Sequence, residues 1–190
     1  MLNQLRPGLL VLLCLTVLTG GVYPLVITGF AQLLFPAKAA GSLLLKDGKP
    51  IGSSLIGQNF TDPKHFWSRP SAAGSYPYNG LASSGTNLGP LNPALSDAVK
   101  QRVADLRAAD PGNVAPVPVD LATSSASGLD PHISLAAALY QADRVARARG
   151  LDPNKVHALV AAHAEASVLG FLGEPRVNVL LLNLALDESK

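Results

Sequence analysis

The chain has 190 residues, 48% of them hydrophobic and 15% charged, with a formal net charge of +2, which allows one ordinary domain or a smaller domain plus a membrane segment. So small and scattered a charge lacks the basic patch or stripe of a nucleic-acid binder, and no nucleic-acid partner is expected. The single cysteine, Cys14, lies in an apolar run, which excludes both an internal disulfide and a thiol nucleophile in the folded domain.

From Pro7 to Ala37 there is no Asp, Glu, Lys, Arg or His. Leu9–Phe35 as a helix, at about 1.5 Å per residue, exceeds a hydrocarbon core of about 30 Å. A transmembrane anchor is expected within residues 1–40. The rival is a cleaved secretory signal, because Ala37-Lys38-Ala39 fits a small-x-small cleavage pattern, although signal cores span only about 7–15 residues. Cys14 follows Leu13 where a lipoprotein cleavage site needs a small residue, so it reads as a small hydrophobe facing lipid or a partner helix. Pro24 in mid-span removes a backbone donor and should kink the helix, which a partner helix would accommodate. Thr16, Thr19, Gly20, Gly21, Thr28 and Gly29 are the small side chains that let membrane helices approach, or simply the residues common in such helices. Arg6 stands on one side of the span and Lys38, Lys46 and Lys49 on the other, and this balance leaves the orientation open.

Residues 41–190 suffice for one compact domain. Ser42–Gly57 reads as a hairpin around Asp47-Gly48, with Leu43–Leu45 as one strand and Ile51–Ile56 as its return. Ser68–Pro93 carries four prolines, four glycines, five serines and three asparagines with no periodicity, a length uncommon for a passive connector. Phe66, Trp67, Tyr76 and Tyr78 argue for an ordered loop, facing a partner in preference to packing only on its own domain. Three helices follow, opened by Asn92-Pro93, Asp130-Pro131 and Asp152-Pro153, and Gly150 closes the second. Arg144, Arg147 and Arg149 read as a solvated helix end whose macrodipole favours cations. Arg176–Leu186, rich in Val and Leu on both faces, reads as a strand with Val177, Val179 and Leu181 in the core. The fold class is α+β with a small sheet and about three helices.

Chemistry-bearing motifs are sparse. No two of His65, His132, His157 and His163 stand at the i, i+4 spacing of a two-ligand metal site. His132 falls where a local capping role is expected. There is no G-x-S-x-G elbow and no phosphate loop, and Gly80–Gly89 lacks the lysine and following helix that a phosphate cradle needs. Neither a metal nor a cofactor is expected from the residues.

Three stretches carry a resemblance: Arg69–Pro90 (RPSAAGSYPYNGLASSGTNLGP), Pro116–His132 (PVPVDLATSSASGLDPH) and Gly170–Asp187 (GFLGEPRVNVLLLNLALD). With Tyr140-Gln141 and Arg144-Val145-Ala146, they resemble the C subunit of the bacterial Kdp-type potassium-transporting P-type ATPase over nearly the whole chain. The resemblance implies a non-catalytic accessory subunit of the inner membrane, with residues 41–190 on the periplasmic side. Its implied partners are a potassium-conducting subunit, an ATP-hydrolysing subunit and membrane lipid. The D-K-T-G signature of the hydrolysing subunit is absent from this chain. The family is also associated with a raised ATP affinity of the pump, so ATP enters through the complex, with Gln141 as the family-level nucleotide contact. Pro24, Trp67, Tyr76, Tyr78 and Asn87 are the candidate partner-interface residues. The alternative is a membrane-anchored extracytoplasmic enzyme or solute-binding domain with the Ser68–Pro93 loop as a lid.

Overall fold

The computed structural model describes residues 2–189, which divide into two compact units, one ending at Ile51 and the other starting at Gly52. In the first unit, helix α1 (Leu2–Val17), a π-helical segment (Leu18–Val22) and helix α2 (Tyr23–Leu34) follow one another without a break. Pro24 explains the π-helical turn. Its ring would clash with the carbonyl four residues back, that of Gly20, in a regular helix. The wider turn relieves this: the Tyr23 N–H donates to Leu18 O, five residues back. Thr19 Oγ1 adds a 2.7 Å bond to Leu15 O. Gln4–Leu34 forms one apolar helix of 31 residues, long enough to cross a membrane and with none of its apolar window buried in protein, and Cys14 is exposed on it.

After the short helix α3 (Pro36–Ala39), strands β1 (Leu43–Lys46) and β2 (Lys49–Ser53) form a hairpin. Asp47 (φ 52°) and Gly48 (φ 74°) supply the two positive φ values that a tight two-residue turn needs. The return strand ends at Ser53, short of the expected Ile56.

In the second unit, α4 (Pro93–Ala109) and the single-turn α5 (Val119–Ala122) precede β3 (His132–Ser134) and α6 (Leu135–Arg149). Then come α7 (Pro153–Ala162), β4 (Ala164–Glu165), β5 (Arg176–Asn178) and α8 (Val179–Glu188). The sheet order is β3-β5-β4, all antiparallel, with Val177 facing both Ile133 and Ala164. Ala137, Ala138, Ala142 and Ala146 give α6 a flat buried face, so that α7 packs closely on it. The arrangement is α+β with small sheets. Asn92 and Asp152 cap α4 and α7 as expected, accepting from the N–H groups of Ala94 and Asn154. Gly150 ends α6 at φ 66°.

Two expectations are corrected. Asp130-Pro131 does not open a helix, because His132–Ser134 pair with β5 as a strand, and α6 begins at Leu135 with Ser134 capping the Ala137 N–H. His132 therefore lies in a strand and not in a first helical turn. Arg176–Leu186 is a strand only to Asn178, whose side chain accepts from Leu181 N–H and starts α8. Burial then follows helical spacing, with Val179, Leu182 and Leu186 inside and Leu181 only partly buried. Leu182→Ala should therefore lower stability by about 2–5 kcal/mol, and Leu181→Ala by distinctly less. Urea unfolding of the purified chain followed by circular dichroism separates the two, since a strand would reverse their order.

Candidate functional site

Between Ser53 and Pro93 the described chain has no helix or strand, yet it is tightly held. Buried backbone groups must find partners, and here two carboxamides supply them. Phe66 donates its N–H to Asn183 Oδ1 at 2.8 Å and accepts from Asn183 Nδ2 at 3.0 Å. Trp67 does the same with Gln141, its N–H reaching Oε1 at 2.8 Å and its carbonyl accepting from Nε2 at 3.1 Å. Gln141 is 1% exposed and Asn183 2%, so α6 and α8 each hold one residue of the segment from within the core.

Arg144 completes the clamp. Its Nη2 donates to His65 O at 3.1 Å and to Gln141 Oε1 at 2.9 Å, its Nη1 donates to Pro63 O, and its guanidinium lies 4.5 Å from the Trp67 ring centroid. Burial lowers its pKa to about 10, which leaves it charged at neutral pH. The reading of a solvated helix end is thus overturned for Arg144 and Arg149, while Arg147 is exposed as expected. Arg147 pairs with the buried carboxylate of Asp110, and Arg149 binds Lys64 O and Asp187.

A second set of bonds fastens the loop from Ser68 onward. Arg69 Nη1 meets Asp130 Oδ2 at 2.8 Å, and Tyr78 donates its hydroxyl to Arg69 O. Ser71 Oγ donates to Gly128 O and accepts from Tyr78 N–H, while Ser84 Oγ donates to Ala72 O. Gly128 sits at φ 66°, where a Cβ would come within 2.7 Å of Ala73 N and Ser84 O, so only glycine fits this crossing. Burial pushes the Tyr78 phenol up to about 12. Burial also pushes the Asp130 carboxyl up, but hydrogen bonds from His132 and Arg69 outweigh it and hold the group at about 2.

The proposed interface residues thus separate into two groups. Trp67 and Tyr78 are turned largely onto their own domain, whereas Tyr76 and Asn87 are exposed, together with Leu81 and Leu91. Pro24 lies on the exposed helix of the other unit. Gln141 has both ends of its amide engaged and presents no open face to a nucleotide. Sequence reasoning did not single out Asn183, Ser71 or Gly128. The i, i+3 spacing of Gln141 and Arg144 on one helix face was the available signal.

The histidines remain apart. His65 faces Asp187 at 3.4 Å, His157 bonds Asp143 at 2.9 Å, and His163 contacts Leu159 O at 2.9 Å. His132 stands between Asp130 at 3.6 Å and Glu165 at 3.7 Å, on a cleft of about 670 Å³ that Arg69, Asp120, Glu174 and Arg176 also line. Among the described residues no three His, Cys, Asp or Glu side chains come together to hold a metal.

Because Trp67 is the sole tryptophan, the clamp has an optical reporter. Gln141→Leu leaves the Trp67 N–H and carbonyl without partners, at about 1–3 kcal/mol each, and should red-shift the emission and lower the melting temperature. The Asp130 pKa lies below its unfolded value, so its contribution to stability is complete above about pH 4 and fades as pH falls toward 2. Acid titration of Trp67 emission should show a loosening in that window that Asp130→Asn removes.

Comparison with known proteins places the chain. The family model for KdpC, described as K+-transporting ATPase, c chain, matches residues 5–188. A potassium-transporting ATPase KdpC subunit from Polaromonas naphthalenivorans (strain CJ2) is 70% identical over 190 residues, covering 100% of this chain and 97% of the relative. The subunits so named from Variovorax paradoxus (strain S110) and Sorangium cellulosum (strain So ce56) are 67% and 62% identical, covering 98% and 100% of this chain and 97% and 100% of their own lengths. With the match running through both the apolar helix and the folded unit, the chain belongs to the KdpC family of potassium-transporting ATPase subunits.

Proposed function

We propose that this chain is an accessory, non-catalytic subunit of a high-affinity ATP-driven potassium uptake pump, holding the complex together through interfaces. The observation that carries this reading is the continuous family match across both units. The apolar helix crosses the inner membrane once, and residues 41–190 stand on the periplasmic side. Its partners are the potassium-conducting and ATP-hydrolysing subunits and the surrounding lipid. The π-helical turn at Pro24 and the exposed part of the long loop, with Tyr76, Leu81 and Asn87, offer the contact surfaces.

The chain raises the ATP affinity of the hydrolysing subunit through assembly. A nucleotide could reach Gln141 only if the Trp67 segment gave up both of its backbone bonds to that amide. Trp67 and Tyr78 act one step earlier, by keeping the loop in its presenting shape. His132, set between the carboxyl groups of Asp130 and Glu165, performs no chemistry on ATP.

The test is potassium-stimulated ATPase activity of the complex purified in mild detergent, normalised to subunit content. Tyr76→Ala and Leu81→Asp should leave Trp67 emission unchanged and reduce the amount of this chain recovered with the pump, since interface anchors cost about 2 kcal/mol or more on truncation. His132→Ala should leave turnover per assembled complex intact, and its abolition would overturn the accessory reading. Protease added to spheroplasts should digest the domain, while a mature N-terminus at Ala40 would exclude the anchor.

A further inference from the structure

Resting on the subunit reading above, we propose that the turn between β4 and β5 is a rigid docking knob that inserts into an apolar socket with a basic rim on another protein subunit of the pump. Val168 and Leu172 exchange two backbone hydrogen bonds of 2.9 Å each, and the Gly170 N–H donates to Ser167 O. Leu169 at φ 56° and Gly170 at φ 78° turn the chain between them. The turn satisfies its backbone internally, so its side chains are free to face outward, and they do. Val168, Leu169, Phe171 and Leu172 are 63%, 77%, 74% and 52% exposed. A leucine in the left-handed region is uncommon, and here it sets an aliphatic side chain at the tip. Four large apolar side chains on five successive residues form a contiguous exposed patch, which marks an interaction surface. Because the turn is already closed, it loses little conformational freedom on docking.

Charge decides between a protein and a lipid surface. Loops that enter the headgroup region bring Lys or Arg, and often Trp or Tyr. Residues 166–175 contain none of these, and their one charged residue is Glu174. At the base of the turn, Arg176 Nε is committed to Glu165 Oε2 at 2.9 Å. Glu174 is left as the exposed charge beside the knob. An apolar tip with an acidic shoulder suits a hydrophobic socket bordered by Lys or Arg, and it is repelled by an anionic bilayer.

The experiment places the photoreactive residue benzoylphenylalanine at position 171 of the full chain, expressed with the other pump subunits in native membranes. Irradiation should give an adduct of this chain with a second pump subunit. A lipid adduct, or none, from complexes that still copurify would overturn the knob and leave the subunit reading standing. Failure of the unaltered chain to copurify with any pump subunit would overturn both. In a parallel arm, Leu169→Asp and Phe171→Asp should keep normal Trp67 emission and melting, and reduce recovery with the pump at least tenfold. Glu174→Lys should reduce it severalfold, with the loss smaller at high salt. Unchanged recovery for both tip variants would refute the proposal.

Discussion

A segment of irregular chain enters the core at Phe66 and packs against it at Trp67, and its backbone groups must be satisfied where no strand pairs with them. Two carboxamides, Asn183 on α8 and Gln141 on α6, each offer a donor and an acceptor at the spacing of one residue's N–H and carbonyl, and so stand in for a missing strand. Much of the folded unit follows from this. Both helices must present these positions to one side, so α6 packs its alanine face on α7 and α8 turns Val179, Leu182 and Leu186 inward. Arg144 then fits only as a buried cation, stabilised by backbone carbonyls and the face of Trp67 in place of a carboxylate. Once the 62–67 segment is fixed, the loop after it leaves in a set direction, and Arg69 meets Asp130.

The apolar helix solves a related problem. Pro24 removes a donor and threatens a clash, and the wide turn Leu18–Val22 absorbs both within the helix itself. The extra residue also shifts the helix phase by about 100°, so Thr16 before the turn does not continue in simple register with Thr28 and Gly29 after it. Pro24 thereby selects which small side chains can line up along one side of the span. The proline and the small residues act together.

What could be seen in the sequence was mostly local. Asn92-Pro93, Asp152-Pro153, Gly150 and Asp47-Gly48 encode caps and a turn in two or three residues, and each stands where its chemistry places it. Asp130-Pro131 carries the same signal and does otherwise, because β5 recruits His132–Ser134 before a helix can start. Arg176–Leu186 was ambiguous for a physical reason. Valine and leucine on every side suit a buried strand and a buried helix alike, and the deciding residue was Asn178, a cap hidden in an apolar run. The carboxamide clamps join residues 74 and 117 positions apart, beyond any periodicity. For that reason Trp67 could pass for a partner anchor when it packs against its own core, and the arginines of α6 for a solvated end when two of the three hold the 62–67 segment.

The two exposed surfaces of the domain differ in what holds their shape. The stretch from Ser68 to Asn92 depends on bonds to distant residues, such as Ser71 to Gly128 and Arg69 to Asp130. A change there alters the fold and the presented surface together. The β4–β5 turn closes on its own backbone, so its apolar side chains can vary with little effect on the core. A domain built in this way can keep one contact surface coupled to its internal electrostatics and another independent of them. The Asp130 carboxylate, shared between Arg69 and the His132 N–H, is where that coupling is concentrated.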